Sequence, residues 1–178
     1  MAKIEDVPEH HEPLISAPVP LSPDHDLSGF DCGEPVLNDW LCQRALKNES
    51  RFSRTYVACA SNRVVAYFCI SAGSVERGAV PGKMRRNAPD AIPVSVIGRL
   101  AVSLDYTGKG LGADLLADAL RRIALASQNI GIAAVLVHAK NEAAKRFYLR
   151  CAEFIEYPED SRILFLPIDT VIASLQSR

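Results

Sequence analysis

The chain has 178 residues, 48% of them hydrophobic, which suffices for one domain with a substantial core and is short for two. No apolar stretch reaches the roughly 18 residues of a membrane span, and the N-terminus lacks the charged-then-apolar order of a secretory signal, so a cytoplasmic protein is expected. The net charge of −1 hides an asymmetry: residues 1–31 carry one Lys against seven acids, net −6, whereas residues 32–178 carry 19 basic against 14 acidic side chains, net +5.

Residues 1–17 are rich in acids and proline and have no periodicity, so they read as a disordered or loosely attached acidic tail, with a single domain over 18–178. Five scattered cysteines without C-x-x-C spacing point to reduced thiols, not to a metal site or disulfides. Val36, Leu37, Trp40, Leu41 and Ala45 recur at helical spacing behind Pro35, which suits a first helical turn, so a helix is predicted from there toward Lys47. Thr55–Ala60 and Val64–Ser71 read as two strands of a hairpin around Ser61-Asn62-Arg63. Residues 77–93 hold three prolines and two glycines around Arg85-Arg86-Asn87 and read as a loop.

Strand character resumes at Val94–Val102. Leu111, Leu115, Leu116, Ala119, Leu120, Ile123 and Ala124 then mark the clearest amphipathic helix of the chain. Ala133–Ala139 reads as a buried strand, which places His138 in the core, and Glu142–Arg150 as a short helix that Asn141 can cap. Phe154–Tyr157 and Arg162–Ile168 read as closing strands. Hairpins mixed with strand-helix-strand crossovers give an α/β fold with a mixed sheet and helices on its faces.

Between strand 94–102 and the helix beginning near Leu111 lie three glycines at alternate positions, Gly108, Gly110 and Gly112. Residues without Cβ let several backbone N–H groups converge, and the helix N-terminus favours an anion there. A P-loop is excluded, because Gly82-Lys83 and Gly108-Lys109 are followed by Met84 and Gly110, neither of which supplies a hydroxyl for Mg²⁺. A dinucleotide fingerprint is excluded too, since the third glycine comes one residue early and position 128 is Gln, not an acid. What survives is a pyrophosphate held by backbone amides.

Basic residues cluster in three places: Arg44, Lys47, Arg51 and Arg54; Arg77, Lys83, Arg85 and Arg86; Lys140, Lys145, Arg146 and Arg150. Solvated helix faces and loops account for such clusters, and so does a polyanionic partner.

These residues resemble a family. Thr107-Gly-Lys-Gly-Leu-Gly112 matches the R/Q-x-x-G-x-G/A acetyl-CoA signature of the GCN5-related N-acetyltransferases (GNAT), with Thr in place of the first Arg or Gln. Arg85-Arg-Asn, Pro93-Val, Arg99-Leu-Ala-Val, Gly108-Lys-Gly-Leu-Gly-Ala-Asp-Leu-Leu, Val137-His-Ala and Phe147-Tyr148, in this order, look like the acetyltransferase toxins of the TacT and AtaT kind. The resemblance implies a single GNAT-like domain whose mixed, mostly antiparallel sheet splays at the cofactor site. It also implies a toxin that acetylates the α-amino group of aminoacyl-tRNA and blocks translation. The partners implied are a ribbon-helix-helix antitoxin, operator DNA through the antitoxin complex, and a second copy of the chain in a homodimer.

For acetyl-CoA, the resemblance implies backbone bonds from Leu100, Ala101 and Val102 to the pantetheine arm, and pyrophosphate contacts from Thr107, Gly108, Lys109, Gly110, Leu111, Gly112 and Ala113. Tyr148 is implied as the general acid that protonates the departing thiolate. Asn141 precedes it by seven residues, two helical turns, so both side chains can point at one site. Arg44, Lys47, Arg77, Lys83, Arg85 and Arg86 are the candidate tRNA surface.

Strand 94–102 carries no carboxylate to act as a base. That suits an α-amine, already appreciably neutral near a pKa of about 7.7 to 8.0, better than a lysine near about 10.4. Glu76, Glu142 or a water chain remain alternatives as base. The alternative acceptors are a protein N-terminus, a lysine or a small-molecule amine.

Overall fold

The computed structural model describes residues 12–177. Its frame is one seven-stranded sheet in the order β1-β2-β3-β4-β5-β7-β6. The strands are β1 (Val19–Pro20), β2 (Arg54–Ala60), β3 (Arg63–Val75), β4 (Ile92–Val102), β5 (Ala134–His138), β6 (Ile155–Glu156) and β7 (Ile163–Pro167). Every pairing is antiparallel except β4 with β5, so the sheet is mixed and mostly antiparallel, as expected. The parallel pair needs a crossover, and the amphipathic helix α4 (Leu111–Ala126) supplies it, burying Leu111, Leu115, Leu116, Ala119, Leu120, Ile123 and Ala124.

The sheet is covered differently on its two faces. On one, α4 joins α5 (Glu142–Cys151) and α6 (Ile168–Gln176) over Ala58, Ala66, Phe68, Ile97, Val135, Val137, Leu164 and Leu166. On the other, α1 (Pro35–Gln43) and α2 (Ala45–Asn48) cover Val57, Val64, Tyr67, Cys69 and Ala101. Further along that same second face, residues 75–92 pack Val80, Met84 and Ala88 over Val94, Ala134 and Phe165. Strand alternation sends successive residues to opposite faces, which is how one sheet feeds separate clusters.

The β4–β5 register runs from Val94↔Ala134 to Ile97↔Val137 and stops, although β4 continues to Val102. A register shift opposite Cys69 and Ile70 leaves Gly98 as the extra residue of β4, a bulge that turns the strand away from its neighbour. The sheet therefore opens between β4 and β5 from Gly98 onward. This is the splay that the resemblance implied.

Four local readings are corrected. The first helix breaks at Arg44 (φ −117°), giving α1 and the one-turn α2. The segment read as loop contains a 3-10 turn at Arg77–Ala79 and a one-turn helix, α3 (Gly82–Arg85). The last strand ends at Pro167 and the chain enters α6, whose Ile168, Val171 and Ile172 pack on the core. Residues 1–11 of the expected tail lie outside the described residues, but its last part is docked: Ile15 bridges Ala60, and Ser16 N–H donates to Cys59 O at 2.8 Å. The reason is the outer edge of β2, whose free backbone groups Ile15, Ser16 and β1 satisfy.

Candidate active site

The glycine run is built by three different requirements. Gly108 and Gly110 sit at φ +76° and +82°, the left-handed region that costs an L side chain strain, with open space where their Cβ would be. Gly112 is helical, and its missing Cβ makes room for the Phe147 ring, which would lie 3.4 Å away. Gly110 caps α4 with no side-chain partner, so among the described residues the first amides of a 16-residue helix have no acceptor. Open space, converging N–H groups and a helix N-terminus suit a pyrophosphate. The contacts of Gly112 with Phe147 and Val102 bring the loop, the end of β4 and α5 to one place.

Leu100, Ala101 and Val102 pair with Phe68, Tyr67 and Ala66 of β3 on one side only. Their other edge faces the splay and is available to an extended ligand. Thr107 turns its hydroxyl back to Leu104 O at 2.9 Å, a contact inside its own turn. Lys109 lies 5.4 Å over the Tyr106 ring and pairs with Glu12 at 3.0 Å. Both partners of that ion pair are largely exposed, so it is worth little and can be exchanged for a phosphate.

Tyr148 is buried in α5, 8% exposed, with the rings of Phe147 and Phe154 edge-on at 5.2 and 5.7 Å. Those contacts hold its ring. Its hydroxyl has no hydrogen-bond partner among the described residues and is not fully enclosed. Burial, with smaller contributions from Cys69 and Cys151, pushes its pKa up to about 12. Phe147, whose ring meets that of Tyr148, also borders Gly112 beside Val102, which places Tyr148 next to the end of β4 and the splay.

Asn141 is the cap of α5. It stands outside the helix, with extended backbone (φ −157°, ψ 178°), and its Oδ1 accepts from Ala144 N at 2.8 Å. Its Nδ2 has no hydrogen-bond partner among the described residues, and Oδ1 keeps a second lone pair.

His138 is corrected. It is exposed, at the end of β5 where the register would next match Gly98. Val137 and Ala139 face α4, so His138 takes the opposite face. On that face a strip of sheet lies bare between the cluster under α1 and the cluster under residues 75–92: Gly98 and His138 are exposed, Val96 and Arg99 half-buried.

The predicted cationic residues are exposed on the two elements that cover this face. Arg44 and Lys47 are exposed on the α1–α2 side, while Arg77, Lys83, Arg85 and Arg86 are exposed on the other, about 20 Å along β4 from Gly98. Arg85 has a structural duty, donating to Gly78 O and Val80 O, and Arg77 Nε donates to Arg85 O. Glu76 is removed as a base candidate, since it follows the end of β3, at the far end of β4 from the bulge. The exposure of His138 and the placement of Arg99 escaped the sequence reading because a face is assigned only once the bulge and the register are known.

The profile of the Acetyltransferase (GNAT) family matches residues 21–154. The tRNA-acetylating toxin of Mycobacterium tuberculosis is 44% identical over 135 residues, covering 75% of this chain and 81% of that protein. The structure of AtaT complexed with acetyl-methionyl-tRNAfMet superposes with a TM-score of 0.83 at 30% identity, covering 90% of this chain and 99% of that one. A tyrosine-to-phenylalanine mutant of AtaT, bound to the C-terminus of the antitoxin AtaR and to acetyl-CoA, superposes with a TM-score of 0.78 at 28% identity, over 91% and 98% of the two chains. An amide cradle opening a helix, a β4 that bulges and parts from β5, and a match over three quarters of the sequence lead to one conclusion: the chain belongs to the GNAT acetyltransferase family.

Proposed function

We propose that this protein is an acetyl-CoA-dependent N-acetyltransferase that acetylates the α-amino group of aminoacyl-tRNA, and that it acts in the cytoplasm as a translation-blocking toxin. The observation that carries this reading is the exposed sheet surface at Gly98 and His138, where β4 parts from β5, on the face whose two covering elements carry the exposed cations Arg44, Lys47, Arg77, Lys83, Arg85 and Arg86. A polyanion can use exposed cations spread over two elements; a small amine has no use for them. What the M. tuberculosis toxin is named for, and what AtaT holds in its complex, supports the same acceptor.

Acetyl-CoA supplies the activated acyl group as a thioester. The amides of Gly108 to Ala113 hold its pyrophosphate, with Lys109 adding charge once it leaves Glu12, and the free edge of Leu100–Val102 aligns the pantetheine arm. The acceptor amine, entering from the strip, attacks the acyl carbon directly. As the carbon–nitrogen bond forms and the carbon–sulfur bond breaks, Tyr148 delivers its proton to the sulfur, while the amine gives up one proton to solvent and solvent restores the phenol. A phenol raised to about 12 is a weak acid, but the dry surroundings that raise it also make the leaving thiolate a stronger base. No carboxylate lies on β4, which suits an amine that needs little help to lose its proton.

The same reading includes a homodimer and a ribbon-helix-helix antitoxin, with operator DNA reached through the antitoxin complex; the AtaR-bound mutant of AtaT supports the antitoxin. The test is incubation with labelled acetyl-CoA and total charged tRNA, followed by mass spectrometry of the products. Acetylated aminoacyl-adenosine is expected. Label found in protein, or in a small amine, would overturn the reading in favour of another GNAT acceptor.

A further inference from the structure

Arg99 is the residue after the bulge. Its guanidinium carbon lies 4.4 Å from the centroid of the Trp40 ring. That ring is fixed from behind: it stacks on Tyr67 at 5.9 Å and 13°, Phe30 meets Tyr67 edge-on, and the Tyr67 hydroxyl donates to Leu37 O at 2.8 Å. The guanidinium therefore rests on a rigid aromatic platform under α1. Yet no ion pair among the described residues includes it, and it is only half-buried, at the edge of the bare strip.

A half-buried guanidinium without a carboxylate is an arrangement that desolvation disfavours and the aromatic ring offsets only in part. Other half-buried cations in this protein have partners: Arg122 lies on Tyr56 but also binds Asp118, and Lys145 pairs with Glu156. Arg99 is held in place on Trp40 beside the Cys69 thiol, and no carboxylate among the described residues takes up its donors. Its neighbour Gly98 lines the opening where the amine must meet the thioester. The nearby acid Glu34, at the start of α1, is taken by Lys140 just after β5, at 2.9 Å.

We propose that Arg99, seated on Trp40, is the acceptor-side anchor of the active site and binds the phosphodiester of the 3′-terminal nucleotide, the anion nearest the reacting amine in an aminoacyl-tRNA. This inference rests on the proposed acceptor. A guanidinium supplies the forked donors that match two phosphate oxygens, which an ammonium does not. Arg99 thus positions the ester for attack, whereas Arg44, Lys47, Lys83 and Arg86 hold the more distant backbone.

Trp40 is the only tryptophan of the chain, so its fluorescence reports on Arg99 directly. The probes are a single-stranded ACCA oligonucleotide and the same oligonucleotide with its last phosphodiester replaced by a neutral methylphosphonate. Both are titrated into the full-length protein. The wild type is expected to change its emission with ACCA and to bind the methylphosphonate about tenfold more weakly. In Arg99→Gln the two probes are expected to bind alike, with acetyl-CoA affinity unchanged, and Arg99→Lys is expected to recover only part of the discrimination. Equal affinity of wild type for the two probes overturns the proposal without any variant having to fold. So does full discrimination in Arg99→Gln. Acetylation of charged tRNA by the wild type is measured separately: its absence removes the acceptor reading, while lost phosphate discrimination removes the role of Arg99.

Discussion

Tyr148 is a phenol kept neutral by its surroundings, and removing its oxygen leaves the packing of the ring on Phe147 and Phe154 intact. Tyr148→Phe is therefore expected to fold normally and to bind acetyl-CoA, while acetyl transfer falls by roughly 10² to 10⁴ fold, the range of a lost general acid. Single-turnover transfer beside calorimetry of acetyl-CoA binding checks this; near-normal turnover would remove Tyr148 from the chemistry. Gly110 tests the cradle. Its φ of +82° is strained for any L side chain, although space is open around it. Gly110→Ala is expected to cost about 1–2 kcal/mol of stability and to weaken acetyl-CoA about tenfold as the amides turn away, read by denaturant titration and calorimetry.

At the scale of elements, α5 is ten residues long and carries Tyr148 at its seventh position, so its register depends on where it starts. Asn141 sets that start by accepting from Ala144 N. Asn141→Ala is expected to lower stability by about 1 kcal/mol, visible as a reduced denaturation midpoint. Proteolysis that failed to find a looser α5 would count against the cap as its organiser. Most elements were legible from periodicity: α4, the β2–β3 hairpin, β4, β5 and α5 fall where their apolar spacing placed them. The helix α6 was legible and overlooked, because Ile168, Val171, Ile172 and Leu175 recur at three and four residues behind Pro167. The two residues of β1 carry no period at all, and they form a strand only because β2 presents a free edge.

For the molecule as a whole, the basic side chains matter through their sum. Binding of tRNA is expected to weaken steeply with salt, and replacing both Lys83 and Arg86 by Ala should reduce the slope of log affinity against log salt by about 2. These two are the informative choices, since Arg77 and Arg85 also brace their own loop. An unchanged slope would place the polyanion elsewhere. Stability should respond to alkali. Burial raises Tyr148 to about 12 from the ordinary 10.0 and drives Tyr67 up as well. Groups that hold their protons more tightly when folded leave stability intact below about pH 10 and erode it above, by about 1.4 kcal/mol per pH unit for each tyrosine. Urea midpoints at pH 8 and pH 11 give the sign directly; a higher midpoint at pH 11 would contradict it.

By itself the sequence determined the donor side. Three alternating glycines between a strand and an amphipathic helix specify an amide cradle locally, because backbone freedom and helix polarity belong to neighbouring residues. It also determined that Phe147-Tyr148 lies on a short helix behind a capping Asn. The acceptor side was decided only by tertiary structure. The bulge at Gly98 and the end of pairing at Ile97↔Val137 turn His138 outward and seat Arg99 on Trp40, 59 positions away in the chain. Which face a side chain takes depends on register between distant strands, and a one-residue bulge reverses it, so no local pattern could have announced where the amine enters.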